Sequence, residues 1–168
     1  KNLIRKELNK IYKKIYFKNS YFVHRDFHVS NFMLVKGKMG ILDSQDAIIG
    51  NPTYDLVSLI DDVRIKTSAS LKEKIFKFYL SKISKGLSEK TKELKNDFNI
   101  LSIQRNLKIL GIFYRLFKRD QKKHYLKFMP YTWQLIEMRL TGYMFKNLKF
   151  LLNKAVSRKQ RKRVVFRW

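Results

Sequence analysis

His24, Arg25 and Asp26 stand together in the stretch VHRDFHVSN, residues 23–31, and Asn31 follows the aspartate by five positions. A carboxylate in such a loop can take the proton of a hydroxyl, and an amide oxygen beside further carboxylates can hold a hard divalent cation. Residues 21–65 contain six of the 13 acidic residues, Asp26, Asp43, Asp46, Asp55, Asp61 and Asp62, against four basic ones, Arg25, Lys36, Lys38 and Arg64. All six are Asp, whose short side chain keeps its oxygens close to the backbone and suits a rigid site. In a chain of formal charge +25, that local excess points to a bound cation or to proton transfer. An isolated His-Arg-Asp fits a salt-bridged loop equally well, so the spacing has to decide.

The spacing is that of H-R-D-x-x-x-x-N, the catalytic loop of protein kinases and their relatives. Phosphoryl transfer needs an acceptor hydroxyl oriented for in-line attack and a carboxylate to take its proton, which is the place of Asp26. It also needs Mg²⁺ to neutralise the triphosphate of ATP. Asn31 then offers an amide oxygen to the metal, and Asp43, after a short hairpin, offers a carboxylate.

The elements that must position these groups can be read from periodicity. Leu3, Ile4, Leu8, Ile11, Tyr12, Ile15 and Tyr16 recur at helical spacing, which predicts an amphipathic helix over residues 1–20. Tyr21-Phe22-Val23, Phe32–Val35 and Met39–Leu42 read as short strands, with Lys36-Gly37-Lys38 as a hairpin turn needing a positive φ at the glycine. From residue 53 to 152 the pattern is helical. Ser70 and Glu73 suggest a capping box for a helix over 71–85, and a long helix is expected over 97–117, buried towards its end. Another helical region follows Pro130, and RKQRKR, residues 158–163, reads as a solvated or frayed part of a basic tail, residues 157–168. The fold class is therefore mostly α with a small β-hairpin.

Composition narrows the classes. Apolar residues make up 45 % of the 168, enough for a packed core. The 38 Lys and Arg are scattered along the chain, as a drift towards AT-rich codons would leave them, and mostly mark solvated helix faces. There is no cysteine, which excludes disulfides and thiolate metal sites and fits a cytoplasmic location. Neither a signal peptide nor an apolar run long enough to span a bilayer is visible, so no membrane partner is expected.

Residues 24–62 resemble the aminoglycoside phosphotransferases and choline kinases, small-molecule kinases of protein kinase-like fold; GNPTYDLVSLIDD, residues 50–62, is similar to their segment after the metal-binding aspartate. DSQD stands where protein kinases carry Asp-Phe-Gly, which argues against a protein substrate. More narrowly, VHRDFHVSNFM, GILDSQDAIIGNPTYDLVSLIDD and QRNLKILGIFYRL resemble bacterial anomeric kinases of the cell-wall amino sugars N-acetylmuramate and N-acetylglucosamine. The resemblance implies that Asp26 is the catalytic base, that Asn31 and Asp43 bind Mg²⁺, and that Asp55 ties its helix to the catalytic loop. A plain helix N-terminal carboxylate fits Asp55 as well. His24 and Arg25 support the loop. His28 and Asp46 are candidates for the acceptor pocket or for loop hydrogen bonds. Ser44 departs from the aromatic residue usual after the metal-binding Asp, which loosens the packing expected to aim Asp43.

Gln104, Arg105 and Lys108 share a helix face, where Arg105 would grip the carboxylate of N-acetylmuramate or pair with one of the Asp residues after the loop. If the first is right, Arg105→Ala raises KM for N-acetylmuramate selectively; equal effects on both sugars would remove the carboxylate role.

A kinase of this type also has an N-terminal lobe with a glycine-bearing phosphate loop and a nucleotide-binding Lys. Residues 1–20 contain no glycine, and the chain opens on Lys1. The expectation is therefore a C-terminal lobe, residues 1–156, from a longer frame with the N-terminal lobe missing. It holds the sugar acceptor site and the metal ligands, needs the missing lobe for the full nucleotide site of ATP, and has little activity alone. The alternatives are a truncated, inactive remnant, or a basic nucleic-acid-binding module using the tail with Phe166 and Trp168.

Overall fold

A computed structural model of the chain describes residues 2–163. Contacts divide these into two units, residues 15–101 and residues 2–14 with 102–163.

In the 15–101 unit, β1 (Tyr21–Val23) pairs antiparallel with β4 (Ile48–Gly50), and β2 (Phe32–Val35) pairs antiparallel with β3 (Lys38–Ile41). The β2–β3 turn has positive φ at both Lys36 (48°) and Gly37 (74°), the twist that a two-residue hairpin turn requires. Strand β4 is absent from the sequence reading: three residues ending in glycine give no usable period. Gly50 is required there, since a Cβ would lie 2.9 Å from Val23 Cγ2 across the pair.

Helices α2 (Tyr54–Ile60), α3 (Ala69–Lys82), α4 (Lys85–Ser88) and the start of α5 (Thr91–Asp120) complete this unit. Leu56, Val57, Ile60, Phe98 and Leu101 form its buried core, flanked by Ile15, Tyr54, Ile75, Phe76 and Tyr79. The cap of α3 is Ser68, whose hydroxyl accepts from Leu71 N at 3.2 Å, rather than Ser70. Glu73 pairs along the helix with Lys77 at 2.8 Å instead of closing a capping box. Ser84 then opens α4, so the helix expected to reach residue 85 ends at Lys82.

Burial pushes the Tyr79 hydroxyl up to about 12, with Tyr21 and Asp55 adding to the shift, while it donates to Pro52 O at 2.8 Å. The folded value lies above the unfolded value of about 10. The contribution of neutral Tyr79 is therefore complete below pH ~10 and is lost as pH rises through about 12. Unfolding followed by circular dichroism from pH 9 to 12 should show a shallower loss of stability in Tyr79→Phe than in the parent.

In the other unit, α1 (Asn2–Tyr12) packs against α7 (Lys146–Ala155), and α6 (Met129–Arg139) against α8 (Arg158–Arg161). Helix α1 stops well short of the expected residue 20. Lys14 N turns back to Ile11 O, and the next donors, Tyr16 N and Phe17 N, go to the Asp97 carboxylate at 2.9 and 3.0 Å. Asp97 is fully buried, and Asn51 Nδ2 gives it a third donor at 2.8 Å. Asp97→Asn places an amide where those donors converge and should cost about 1–3 kcal/mol in urea unfolding.

Helix α5 is longer than the expected 97–117, and within 109–117 only Leu110 and Phe113 are buried. The basic run near the C-terminus is not a frayed tail as far as residue 163. Ser157 and Gln160 cap α8 reciprocally, and buried Arg161 stacks on Trp133 at 4.6 Å and pairs with Glu137 at 2.7 Å. Phe166 and Trp168 lie outside the described residues.

Candidate active site

The loop that follows β1 is built by backbone strain and its compensation. Arg25 has φ 73°, a left-handed conformation that costs a side-chain-bearing residue about 1–2 kcal/mol. That turn directs the N–H groups of His24 and Arg25 at one carboxylate: Asp55, in the first turn of α2, accepts them at 2.7 and 2.9 Å. From the next turn of α2, Ser58 Oγ lies 3.3 Å from Arg25 O and 3.2 Å from Tyr54 O, so its one proton is shared between the strained residue and the helix itself. The Arg25 guanidinium donates to Asp46 O at 3.2 Å, joining the loop to the turn after Asp43.

Downstream, His28 N donates to Asp26 O and Asn31 N to His28 O, both at 2.9 Å, winding residues 29–31 into a short 3-10 turn. The Asn31 amide nitrogen donates to Asp26 O at 2.9 Å. That bond identifies which end of the amide is committed and leaves Oδ1 as the acceptor. Leu42 N donates to Asn31 O at 2.9 Å, which fixes the end of the hairpin beside the loop immediately before Asp43. Asp43 is itself left-handed, φ 68°, a conformation Asp tolerates better than most residues. Gln45 Nε2 donates to Asp43 Oδ1 at 3.2 Å. Ser44 starts a 3-10 turn, and Gln45 within it is the side chain that meets Asp43.

The site residues read from the sequence thus fall into groups. Asp26, Asn31, His24, Arg25 and Asp55 are joined by hydrogen bonds through one loop, with Asp43 at the end of the tethered hairpin. His24 is buried with neither ring nitrogen hydrogen-bonded and Phe27 edge-on at 6.3 Å. His28 is buried, and Asp46 presents its carbonyl to Arg25 while its side chain is exposed. Gln104 and Lys108 are exposed and Arg105 half-buried on α5 beyond residue 101, in the other unit. Asp61 is not a cation ligand: its Oδ1 meets buried Lys72 Nζ at 2.7 Å. Ser58 and Gln45 were missed because a serine inside a helix and a glutamine in a turn carry no spacing signal.

Among the described residues no three His, Cys, Asp or Glu side chains converge on a metal position. The donor set here is one amide oxygen and one carboxylate. That chemistry fits Mg²⁺, which takes one or two protein oxygens and keeps its other positions for water and phosphate. No helix among the described residues is long and apolar enough to cross a membrane.

Known proteins resemble this chain over much of its length. The chain is 39 % identical over 112 residues to the N-acetylmuramate/N-acetylglucosamine kinase of Neisseria meningitidis serogroup B, covering 65 % of this chain and 34 % of the relative. It is 29 % identical over 140 residues to the enzyme of that name from Caulobacter vibrioides, covering 80 % and 38 %. For Pseudomonas aeruginosa the figures are 32 % over 119 residues, 69 % and 35 %. The chain spans about a third of the length of these curated relatives. Residues 16–94, which hold the loop, the hairpin and α2, match the phosphotransferase enzyme family APH.

Proposed function

We propose that this chain is the C-terminal lobe of a small-molecule kinase that transfers the ATP γ-phosphate to a sugar hydroxyl, the C1 hydroxyl of N-acetylmuramate or N-acetylglucosamine. The observation that carries the reading is the strained Arg25 peptide held from both sides by Asp55 and Ser58. A loop whose conformation costs energy persists where surrounding groups over-determine it, and such strain gathers at functional sites. The relatives' own activity as N-acetylmuramate/N-acetylglucosamine kinases, carried in their names, suggests the sugar class.

In this reading Asp26 Oδ accepts the proton of the acceptor hydroxyl as the oxygen attacks phosphorus, and the bridging oxygen of the leaving ADP takes the charge. Asn31 Oδ1 and the Asp43 carboxylate would hold Mg²⁺, which would supply charge neutralisation of the phosphates. Asp55 and Ser58 fix the peptide just before Asp26, so the base stays aimed without reorganisation.

The β2–β3 ribbon supports the lobe assignment. Its cross-strand pairs Phe32–Ile41 and Leu34–Met39 put four apolar residues on one face, with Leu34 72 % and Met39 64 % exposed. Exposed apolar area of this kind marks an interaction surface, which in this reading the N-terminal lobe covers.

The test compares ADP release by the native polypeptide, purified from its source cells, and by the 168-residue chain. The acceptors are N-acetylmuramate, N-acetylglucosamine, kanamycin and choline. The native polypeptide should turn over one or both sugars at ~1–100 s⁻¹, and the 168-residue chain should be far slower. A preference for kanamycin or choline would overturn the acceptor, and full activity of the chain alone would overturn the lobe.

A further inference from the structure

Asn51 stands between the last strand and the helix that braces the loop, and it is buried. Its Nδ2 donates to Asp97 Oδ2 at 2.8 Å and to Phe17 O at 3.2 Å. Its Oδ1 accepts from Thr53 N and from Thr53 Oγ1, both at 2.9 Å. Two N–H donors and two lone pairs are all that a side-chain amide has, so each is in use. Asn51 therefore ties the start of α2 to a carboxylate on α5, and both Thr53 and Asp97 are fully buried.

The same junction leads to the catalytic loop in both directions. Upstream, Gly50 pairs with Tyr21 and accepts from Ser20 N at 3.1 Å, and β1 runs directly into His24. Downstream, Tyr54 N donates to Asn51 O at 3.1 Å and Val57 N to Thr53 O at 2.9 Å, which starts α2. Asp55, two residues after Thr53, then receives His24 N and Arg25 N, and Ser58 reaches Arg25 O. We propose that Asn51 is a positioning residue for the phosphoryl transfer: anchored on Asp97, it sets the start of α2 and, through Asp55, the direction of Asp26. This rests on the kinase reading. Bonds buried away from water have no solvent to replace them when one partner is removed. Loss of the Asn51 amide frees the first turn of α2, and the Asp55 carboxylate with it, while Asp26, Asn31 and Asp43 keep their side chains.

The experiment has two readouts. In the 168-residue chain, amide hydrogen exchange followed by NMR reports the bonds to Asp55 directly. Asn51→Ala should speed exchange of the His24 and Arg25 N–H groups about tenfold or more. The Leu42 N–H, held by Asn31 O at 2.9 Å at the end of the hairpin, should keep nearly its parental rate. Leu87→Ala, in α4 of the same unit and outside these bonds, is the control for general destabilisation and should move all three amides alike. In the native polypeptide, Asn51→Ala should lower kcat for the amino sugar about tenfold to a hundredfold, with KM for ATP and sugar within about twofold. Leu87→Ala should leave kcat near its parental value. If Asn51→Ala does not fold, Thr53→Val, which removes only the hydroxyl that meets Asn51, decides on the same criteria. Exchange at His24 and Arg25 that rises only in step with Leu42, or a parental kcat, overturns the positioning role alone. A native parent that phosphorylates neither sugar overturns the kinase reading, and the catalytic role of Asn51 with it.

Discussion

Asp26→Asn should lower the turnover of the native polypeptide by about 10²–10⁴-fold, with KM for ATP and for the sugar near their starting values. An amide cannot take the acceptor proton, yet it matches the carboxylate in size. The loop does not depend on the Asp26 side chain for its shape. Asp26 contributes its backbone carbonyl, which accepts from Asn31 Nδ2 and His28 N at 2.9 Å, and the substitution leaves both bonds in place. Melting temperature should therefore be unchanged. A loss confined to KM would assign Asp26 to binding and remove it as the base.

Asp55→Ala should act on stability and turnover together. It removes the carboxylate that receives His24 N and Arg25 N at 2.7 and 2.9 Å and leaves a left-handed Arg25 without its compensation. Hydrogen bonds to a charged group contribute about 1.5–3 kcal/mol each, discounted here because the pair is only partly buried. A loss on the order of 3 kcal/mol in urea unfolding is expected, a large share of the roughly 5–15 kcal/mol that holds a domain folded. Turnover should fall with it even at temperatures where the variant stays folded, because the relaxed peptide no longer aims Asp26. Ser58→Ala should show the same pattern at smaller size, since its bond to Arg25 O is longer and neutral. An Asp55→Ala variant with parental stability would mean that Arg25 holds its conformation for another reason.

The two variants separate what the sequence shows from what it does not. Asp26 and Asn31 are legible because the chemistry fixes their separation within one loop. The β2–β3 hairpin is legible because Gly37 must take a positive φ between two apolar runs, and the structure gives it 74°. The supports are different in kind. Asp97 meets Tyr16 and Phe17 from about 80 positions away, and Ser58 meets Arg25 from 33. Neither contact leaves a period or a motif. The early end of α1 follows from the first of these, since the helical pattern continues through Ile15 and Tyr16 while their backbone is captured elsewhere. Arg161 shows the opposite error. A run of five cations in six residues reads as solvated, and Trp133 and Glu137 on α6 explain why one of them is buried.

The central claim is that this loop and hairpin carry phosphoryl transfer to an amino sugar. Its most direct test is ³¹P NMR of the native polypeptide with ATP, Mg²⁺ and N-acetylmuramate or N-acetylglucosamine, run beside Asp26→Asn. The account predicts a sugar 1-phosphate resonance growing as the γ-phosphate signal falls, and almost none with the variant. A spectrum without sugar phosphate for either acceptor, or one in which the variant keeps pace, would contradict it.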